Sequence, residues 1–352
     1  MRNLIDAVDL SPEELERMCD LAADIQANPG KYADACRGRR LATLFFEPST
    51  RTRMSFESAM LTLGGTVLSM PDGATSSATK GESLADTIRV ISCYADIIAM
   101  RHPFDGAARL AARYTGVPFI NAGDGGHCHP TQTLADIMTI RSETGRLCNL
   151  TVGLCGDLLY GRTVHSLIRV LSRNEGIRFV LISPKELALP DYMMEGLEAE
   201  VTESLEEALP KLDILYMTRV QKERFEDEAQ YERLKDAYIL NAERMRLGGA
   251  QLRVLHPLPR VNEIAPEVDD DPRACYFKQV SYGRYMRMAL ILTLLREAQD
   301  SPRQATVPYA GSCPNRRCVC HRERCVPQEF IRTKDAVRCA WCEAEAVPET
   351  IG

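Results

Sequence analysis

From Leu41 to about Leu295, short apolar runs alternate with amphipathic helical segments. No other feature constrains the fold of this 352-residue chain as strongly. Such alternation predicts parallel sheets wrapped by helices, an α/β architecture. The candidate strands are 41–46, 95–100, 118–121, 151–155, 178–183, 213–217 and 252–255. The chain is longer than one growing core supports, so two doubly wound parallel-sheet lobes are expected. "RSETGRLCN" (141–149) separates residues 1–140 from residues 141–283. A helix at 284–298, with Met288, Leu292 and Leu295 on one face, returns to the first lobe. "QDSPRQATVPYAGS" (299–312) then reads as a polar, proline-containing linker to a small C-terminal domain at 313–352.

The first strand runs into "FFEPSTRTRMSFE" (45–57). Pro48 ends the strand, Ser49 is a favoured helix N-cap, and Phe56, Ala59, Met60 and Leu63 recur at helical spacing until Gly64-Gly65. The first turn of a helix presents unpaired N–H groups and the positive end of the dipole. Hydroxyls and guanidinium groups added there form a phosphate cradle. The G-x-x-x-x-G-K-[ST] spacing of a P-loop is absent.

Ligands of open α/β sheets bind beyond the carboxyl ends of the strands. Here those tips read EPSTRT, RHP, NAGDGGHCHPTQ, GDLLYGRT, TRVQKER and HPLPR. Arg51, Arg101, Arg162, Arg219 and Arg260 each occupy a different tip, joined by His129 and His256. This chemistry suits a ligand with more than one anionic group, and the scarcity of carboxylates argues against a magnesium-type site. "VGLCGDLLYG" is not the G-x-G-x-x-G of a dinucleotide site, and no G-x-S-x-G elbow of a covalent hydrolase occurs. Cys128 lies between His127 and His129, but adjacent residues rarely meet in nucleophile–base geometry, so a structural thiol is expected.

A net charge of −6 argues against whole-chain binding to nucleic acid or acidic membranes. The first twenty residues lack the apolar stretch of a signal peptide or membrane span, which reads as a cytoplasmic protein. Seven of the thirteen cysteines are scattered and read as reduced core thiols, while the other six fall between Cys313 and Cys342. There Cys313 and Cys318 form C-x4-C, and Cys339 and Cys342 form C-x2-C after twenty intervening residues. Two such pairs predict a closed, tetrahedral, structural zinc site, with Cys320, His321 and Cys325 as rivals for one position.

Taken together and in order, the motifs F-x-E-P-S-T-R-T-R, K-G-E-S-L-A-D-T, M-R-H-P, H-P-T-Q, G-R-T-V-H-S, T-R-V-Q and H-P-L-P-R resemble the aspartate carbamoyltransferase catalytic chain across nearly all of residues 1–298. S-T-R-T-R and H-P-T-Q are shared with ornithine carbamoyltransferase. "HPLPR" at 256–260 and "MTRVQ" at 217–221 favour the aspartate enzyme. The resemblance implies transfer of the carbamoyl group of carbamoyl phosphate to L-aspartate, a step of de novo pyrimidine biosynthesis, with no cofactor for catalysis. It implies that Ser49, Thr50, Arg51 and Thr52 hold the phosphate, and that Thr52, Arg101 and His129 donate to the carbamoyl oxygen. Gln132 and the carbonyls of Pro257 and Leu258 would hold the NH2 group, while Arg162, Arg219 and Gln221 would grip the aspartate carboxylates. His129 precedes Pro130 at a predicted helix start, which favours a neutral, donating imidazole. The loop "GATSSATKGES" (73–83) would give Lys80 and Ser76, or Ser77, to a neighbouring subunit's site, so a homotrimer or a dimer of trimers is implied.

The tail, which opens C-P-N-x-x-C, resembles the zinc domain of the aspartate carbamoyltransferase regulatory chain, without that chain's nucleotide-binding domain. The expectation is a tail docked on a catalytic lobe and bridging subunits, and the missing domain removes the ground for expecting nucleotide control through this chain. A nucleic-acid-binding ribbon is the rival, since Arg316, Arg317, Arg322, Arg324, Arg332, Lys334 and Arg338 face only Glu323, Glu329 and Asp335. An acidic protein surface suits the same charges. A catalytically dead scaffold ranks last, because every matched position that carries chemistry is present.

Overall fold

The computed structural model describes residues 3–73, 81–220, 238–297, 306–323, 326–333 and 336–348. Its longer helices are α1 (Pro12–Ala27), α2 (Thr50–Thr62), α3 (Leu84–Ser92), α4 (Ala107–Tyr114), α5 (Pro130–Thr144), α6 (Arg162–Leu171) and α7 (Tyr276–Arg296). By packing, residues 1–9, 20–131 and 287–352 form one compact unit, and residues 10–19 and 132–286 another.

The first unit contains β1 (Arg40–Phe45), β2 (Thr66–Met70), β3 (Ile97–His102) and β4 (Phe119–Asp124), all parallel, in the order β2-β1-β3-β4. The second contains β5 (Thr151–Cys155), β6 (Arg178–Ile182), β7 (Ala199–Thr202), β8 (Ile214–Met217) and β9 (Arg253–Leu255), also parallel, in the order β7-β6-β5-β8-β9. The inner strands are apolar and buried along almost their whole length, as parallel strands covered on both faces must be. The edge strands β2 ("TVLSM") and β7 ("AEVT") are largely exposed. Sequence patterning passed over both because neither carries a continuous apolar run. It also began the closing helix at 284, whereas α7 starts at Tyr276.

The tail adds β10 (Gly311–Ser312), β11 (Phe330–Arg332), β12 (Val337–Cys339) and β13 (Val347–Pro348), paired as two short antiparallel ribbons, β10 with β13 and β11 with β12. Its buried side chains Val319, Val326 and Trp341 join a single hydrophobic cluster with Leu110 and Ala111 of α4, Ile98 and Met100 of β3, and Phe119 of β4. Trp341, the one tryptophan of the chain, is 2% exposed. Burying an indole of this size contributes on the order of 4 kcal/mol before entropy is counted.

Candidate active site

In the first unit, the end of β1 leads into α2 through Ser49. This residue takes the extended N-cap backbone conformation, yet its hydroxyl makes no capping bond. The N–H groups of the first turn are therefore not consumed by a side-chain cap at this position. Arg51 is exposed in that turn, and Thr52 is buried beside it at 8% exposure. The neighbouring Arg53 is folded back, with Nη1 donating to Glu57 (3.1 Å) and Ser69 (3.1 Å), while Thr43 also donates to Glu57. The two arginines thus divide the work, one standing at the helix mouth and one pinning α2 to the sheet.

The ends of β1, β3 and β4 are tied together. The Phe46 N–H donates to the Arg101 carbonyl (2.9 Å) and the Gly125 N–H to that of His102 (2.8 Å). Arg101 sits at the end of β3, and its Nε donates to Glu47 (3.2 Å). Gly123, at the end of β4, has φ +119, and a Cβ there would stand 3.5 Å from both Arg101 Nη1 and His129 Cδ2. The guanidinium and the imidazole therefore converge over one glycine, and the positive φ, more than any lack of space, is what disfavours a side chain there. His129 itself is 6% exposed and immediately precedes α5. His102 is a different kind of histidine. It packs against Phe46 and Phe104, its Nδ1 accepts from the Phe104 N–H (3.1 Å), and burial pushes it down to about 4, so it stays neutral.

In the second unit, Gln132 is anchored by Asp136, one helical turn later in α5. Asp136 is fully buried and accepts from Gln132 Nε2 (2.8 Å), Gln279 Nε2 (2.6 Å) and the Tyr216 hydroxyl (3.0 Å). Gln279 in turn accepts from the His256 N–H (3.0 Å). The His256 ring accepts from the Leu258 N–H at Nδ1 (2.7 Å), which leaves Nε2–H to donate to Glu263 (2.6 Å). Leu258 has φ +54, a costly conformation for a branched residue, and the His256 contact helps hold it there. Gln132 and the Pro257–Leu258 carbonyls are therefore positioned by one buried network. Arg162 opens α6 after β5, and Arg219 follows the adjacent β8. Thr218 ties these two tips, its Oγ1 donating to the Cys155 carbonyl (3.0 Å) and accepting from the Asp157 N–H (3.1 Å). Ser76, Lys80 and Gln221 lie outside the described residues.

Sequence reasoning missed Asp136, Gln279, Glu263 and Glu47. The Gln132–Asp136 pair carried a legible signal, its i,i+4 spacing on a helix; Gln279 and Glu47 are distant in sequence from their partners, and Glu263 lies near His256 but in a stretch with no regular period. Cys128 is buried, and its thiol is pushed up to about 12 by desolvation, which suits a structural group better than a nucleophile.

In the tail, Cys313, Cys318, Cys320 and Cys339 place their sulfurs within 4.8 Å of one another, and Cys342 lies 3.6 Å from Cys313. Cys318 and Cys339 are 3.8 Å apart. Tetrahedral thiolate coordination at about 2.3 Å gives sulfur–sulfur edges of about 3.8 Å, so the donor set fits a metal ion. Cys320, left out of the expected ligands, belongs to the cluster at 3.4 Å from Cys318. His321 does not compete through Nε2, which contacts the Cys313 carbonyl (2.7 Å), and Cys325 lies outside the described residues.

The tail docks on α4 and the loop before it. The Asp105 N–H donates to the Arg317 carbonyl, the Val319 N–H to the Asp105 carbonyl, and Asn315 to the Asp105 carboxylate. Arg113 grips Glu329 with both terminal nitrogens (2.9 and 2.7 Å) and stacks on Trp341 (4.3 Å). Arg109 pairs with Glu343 (2.5 Å). Glu323 accepts from the Leu84 N–H at the start of α3 (3.3 Å).

Two family descriptions match this chain: "Aspartate/ornithine carbamoyltransferase, carbamoyl-P binding domain" over residues 2–142, and "Aspartate/ornithine carbamoyltransferase, Asp/Orn binding domain" over residues 148–294. The aspartate carbamoyltransferase catalytic subunit of Clostridium novyi is 58% identical over 299 residues, covering 84% of this chain and 98% of that protein. The solved catalytic subunit of M. jannaschii aspartate transcarbamoylase superposes with a TM-score of 0.80 at 47% identity, covering 86% of this chain and all of that one. The Trypanosoma cruzi enzyme in complex with carbamoyl phosphate and aspartate gives a TM-score of 0.79 at 40% identity, covering 83% of this chain and 96% of its own.

Proposed function

The chain belongs to the aspartate carbamoyltransferase catalytic-subunit family, and from that premise we propose how its residues carry out carbamoyl transfer from carbamoyl phosphate to L-aspartate. Ser49, Thr50, Arg51 and Thr52 hold the phosphate at the mouth of α2, joined by Ser76 and Lys80. The hydroxyl of Thr52, the guanidinium of Arg101 and the imidazole of His129 donate to the carbamoyl oxygen, where negative charge grows as the amine attacks. Gln132 and the Pro257 and Leu258 carbonyls orient the NH2 group, and Arg162, Arg219 and Gln221 bind the carboxylates of aspartate. The new C–N bond forms at the carbamoyl carbon, the C–O bond to phosphate breaks, and the departing phosphate takes the amine proton. N-carbamoyl-L-aspartate and phosphate result, as in the pyrimidine pathway. Positioning and charge stabilisation supply most of the rate. The observation that supports this reading best is the approach of Arg101 and His129 to the same face of Gly123.

Lys80 and Ser76 serve a neighbouring subunit, which makes the working form a homotrimer or a dimer of trimers. Zinc is the metal suited to the tail cluster, held by Cys313, Cys318, Cys339 and Cys342 with Cys320 beside them, and it would supply a structural cross-link. Among the described residues no helix is long and apolar enough to cross a membrane, and the free thiols suit a cytoplasmic location.

Carbamoylation of aspartate and of ornithine by the protein and by Arg51→Ala tests the proposal. Aspartate should be the substrate, and the variant should lose roughly 10²–10³-fold in kcat/KM. Turnover of ornithine in preference, or an unaffected variant, would overturn it.

A further inference from the structure

Glu343 directly follows Cys342, and its position is set by the sulfur cluster. Its N–H donates to the Cys339 carbonyl (3.0 Å) and its φ is +60, so a tight turn between two cluster thiols aims its carboxylate outward from the tail. One oxygen meets Arg109 (2.5 Å) and the other meets His127 Nε2 (3.3 Å). His127 Nδ1 faces Asp124 at 3.3 Å. Asp124 is fully buried and accepts from the Gly106 N–H (2.9 Å) and from Asn121 Nδ2 (3.0 Å). His127 is thus clamped between two carboxylates, one in its own turn and one in the tail, with Arg109 beside Glu343. Although burial opposes it, the adjacent Cys128 sulfur and the Asp124 carboxylate hold the imidazole above its ordinary range, and His127 in turn holds Asp124 below its own.

The clamp bears on a short turn. The His127 N–H donates to the Asp124 carbonyl (3.0 Å) and the Asp124 N–H to the Cys128 carbonyl (3.3 Å), closing residues 124–128 into a compact loop. The next residue is His129. The lobe also holds this loop from its inner side, through the Gly125 N–H to the His102 carbonyl (2.8 Å) and the Gly126 N–H to Asp105 (2.6 Å), and the tail supplies the outer jaw, on His127.

We propose that Glu343 is a positioning residue for carbamoyl transfer: by pressing His127 against Asp124 it fixes the 124–128 turn, and with it the approach of His129 to the substrate. The inference rests on the assignment of His129 made above. It makes the C-terminal tail part of the support of this chain's own active site, in addition to any role in assembly.

The test compares Glu343→Ala, Glu343→Gln, His127→Ala, the Glu343→Ala/His127→Ala double variant and His129→Ala in the full-length protein. The readouts are kcat, KM for both substrates, bound metal and thermal midpoint. Displacement of a positioned group costs roughly 10–100-fold. Glu343→Ala should lose that much in kcat with metal content unchanged and KM moved far less. Glu343→Gln, which keeps an acceptor toward His127, should recover part of it. The double variant should be no worse than either single one, because both break the same contact. Unchanged kcat in Glu343→Ala with metal retained, or additive losses in the double variant, would overturn the proposal. If Glu343→Ala sheds its metal, His127→Ala decides, since it lies outside the tail: an equal fall in kcat supports the proposal and a normal kcat overturns it. A His129→Ala enzyme that keeps its kcat would remove the active-site assignment itself and this inference with it, whereas a dead His129→Ala beside a normal His127→Ala removes the inference alone.

Discussion

The two units hold their candidate active groups by different means. The second fixes Gln132 and the Pro257–Leu258 turn from within, through Asp136, Gln279, His256 and Glu263, all buried in its own core. The first adds to its own bonds on the turn before His129 a carboxylate lent by the tail, 216 positions beyond His127. A network inside a core is satisfied as the unit folds and has no other state. A network closed by an appendage depends on whatever keeps that appendage in place, here a sulfur cluster whose spacing fits a metal ion and a buried tryptophan. The comparison predicts that damage to the second unit's network appears as lost stability. Damage to the first unit's network should appear as undocking of the tail while the lobe remains folded.

The largest effect should come from Asp136→Ala. It removes the shared acceptor of Gln132, Gln279 and the Tyr216 hydroxyl, leaving buried donors without their partner. The expected cost is about 3–5 kcal/mol, read as a lower denaturant midpoint at unchanged slope. A shift below about 1 kcal/mol would show that water or a neighbour replaces the carboxylate, and the contrast between the units would weaken.

How much of this was legible in the sequence follows from how far apart the partners lie. The strand tips were readable because each motif is contiguous: Arg51 and Thr52 sit within one helical turn of Ser49, and Arg101 and His129 within a few residues of a strand end. The inner strands were readable because burial on both faces demands an unbroken apolar run. β2 and β7 were not, since an exposed edge strand carries no such run. The sulfur cluster was readable as two short spacings, but the inclusion of Cys320 depends on the path of residues 318–322, which spacing does not describe. The docking face was hidden altogether. Arg109 and Arg113 look like solvated charges on an amphipathic helix, and nothing near them in sequence names Glu343 or Glu329 as partner.

Two histidines of the first unit should separate the lobe from its appendage by pH. His102 is buried and pushed down to about 4, so the unfolded chain binds the proton more readily and stability falls as pH drops from about 6.5 to 4. The loss should reach about 3 kcal/mol. His127 is shifted the other way, so its contribution is complete below about pH 6.5 and is lost as pH rises through its elevated value. Acid should therefore weaken the core of the unit, and alkali the hold on the tail. Melting curves across pH with wild type, His102→Asn and His127→Asn check both signs; a His127→Asn protein whose alkaline profile matches wild type would break the second.

Gly106 offers a more local probe. It has φ +83, and a Cβ there would lie 2.7 Å from the backbone of Trp341. Gly106→Ala combines backbone strain with a collision against the docked tail, at a cost of about 2 kcal/mol. Because Trp341 is the one tryptophan, its emission reports the docked state directly. A red shift in Gly106→Ala, or on treatment with a strong chelator, should appear before the cooperative unfolding of the lobe. Emission that shifts only together with global unfolding would show that tail and lobe form one cooperative unit.

The smallest change tests geometry at constant charge. Arg113 joins Glu329 through two parallel hydrogen bonds and lies over the Trp341 ring, and both partners of the ion pair are about a quarter exposed. Lysine keeps the positive charge but has neither the planar fork nor the flat face. Arg113→Lys should therefore cost only about 1 kcal/mol, because a half-screened ion pair and a partly exposed cation–π contact are each modest. The loss should appear in the tryptophan emission midpoint and leave the lobe's own midpoint unmoved. An equal shift in both midpoints would mean that the α4 contacts stabilise the lobe as much as they hold the tail, and the division between a self-supported unit and a buttressed one would have to be redrawn.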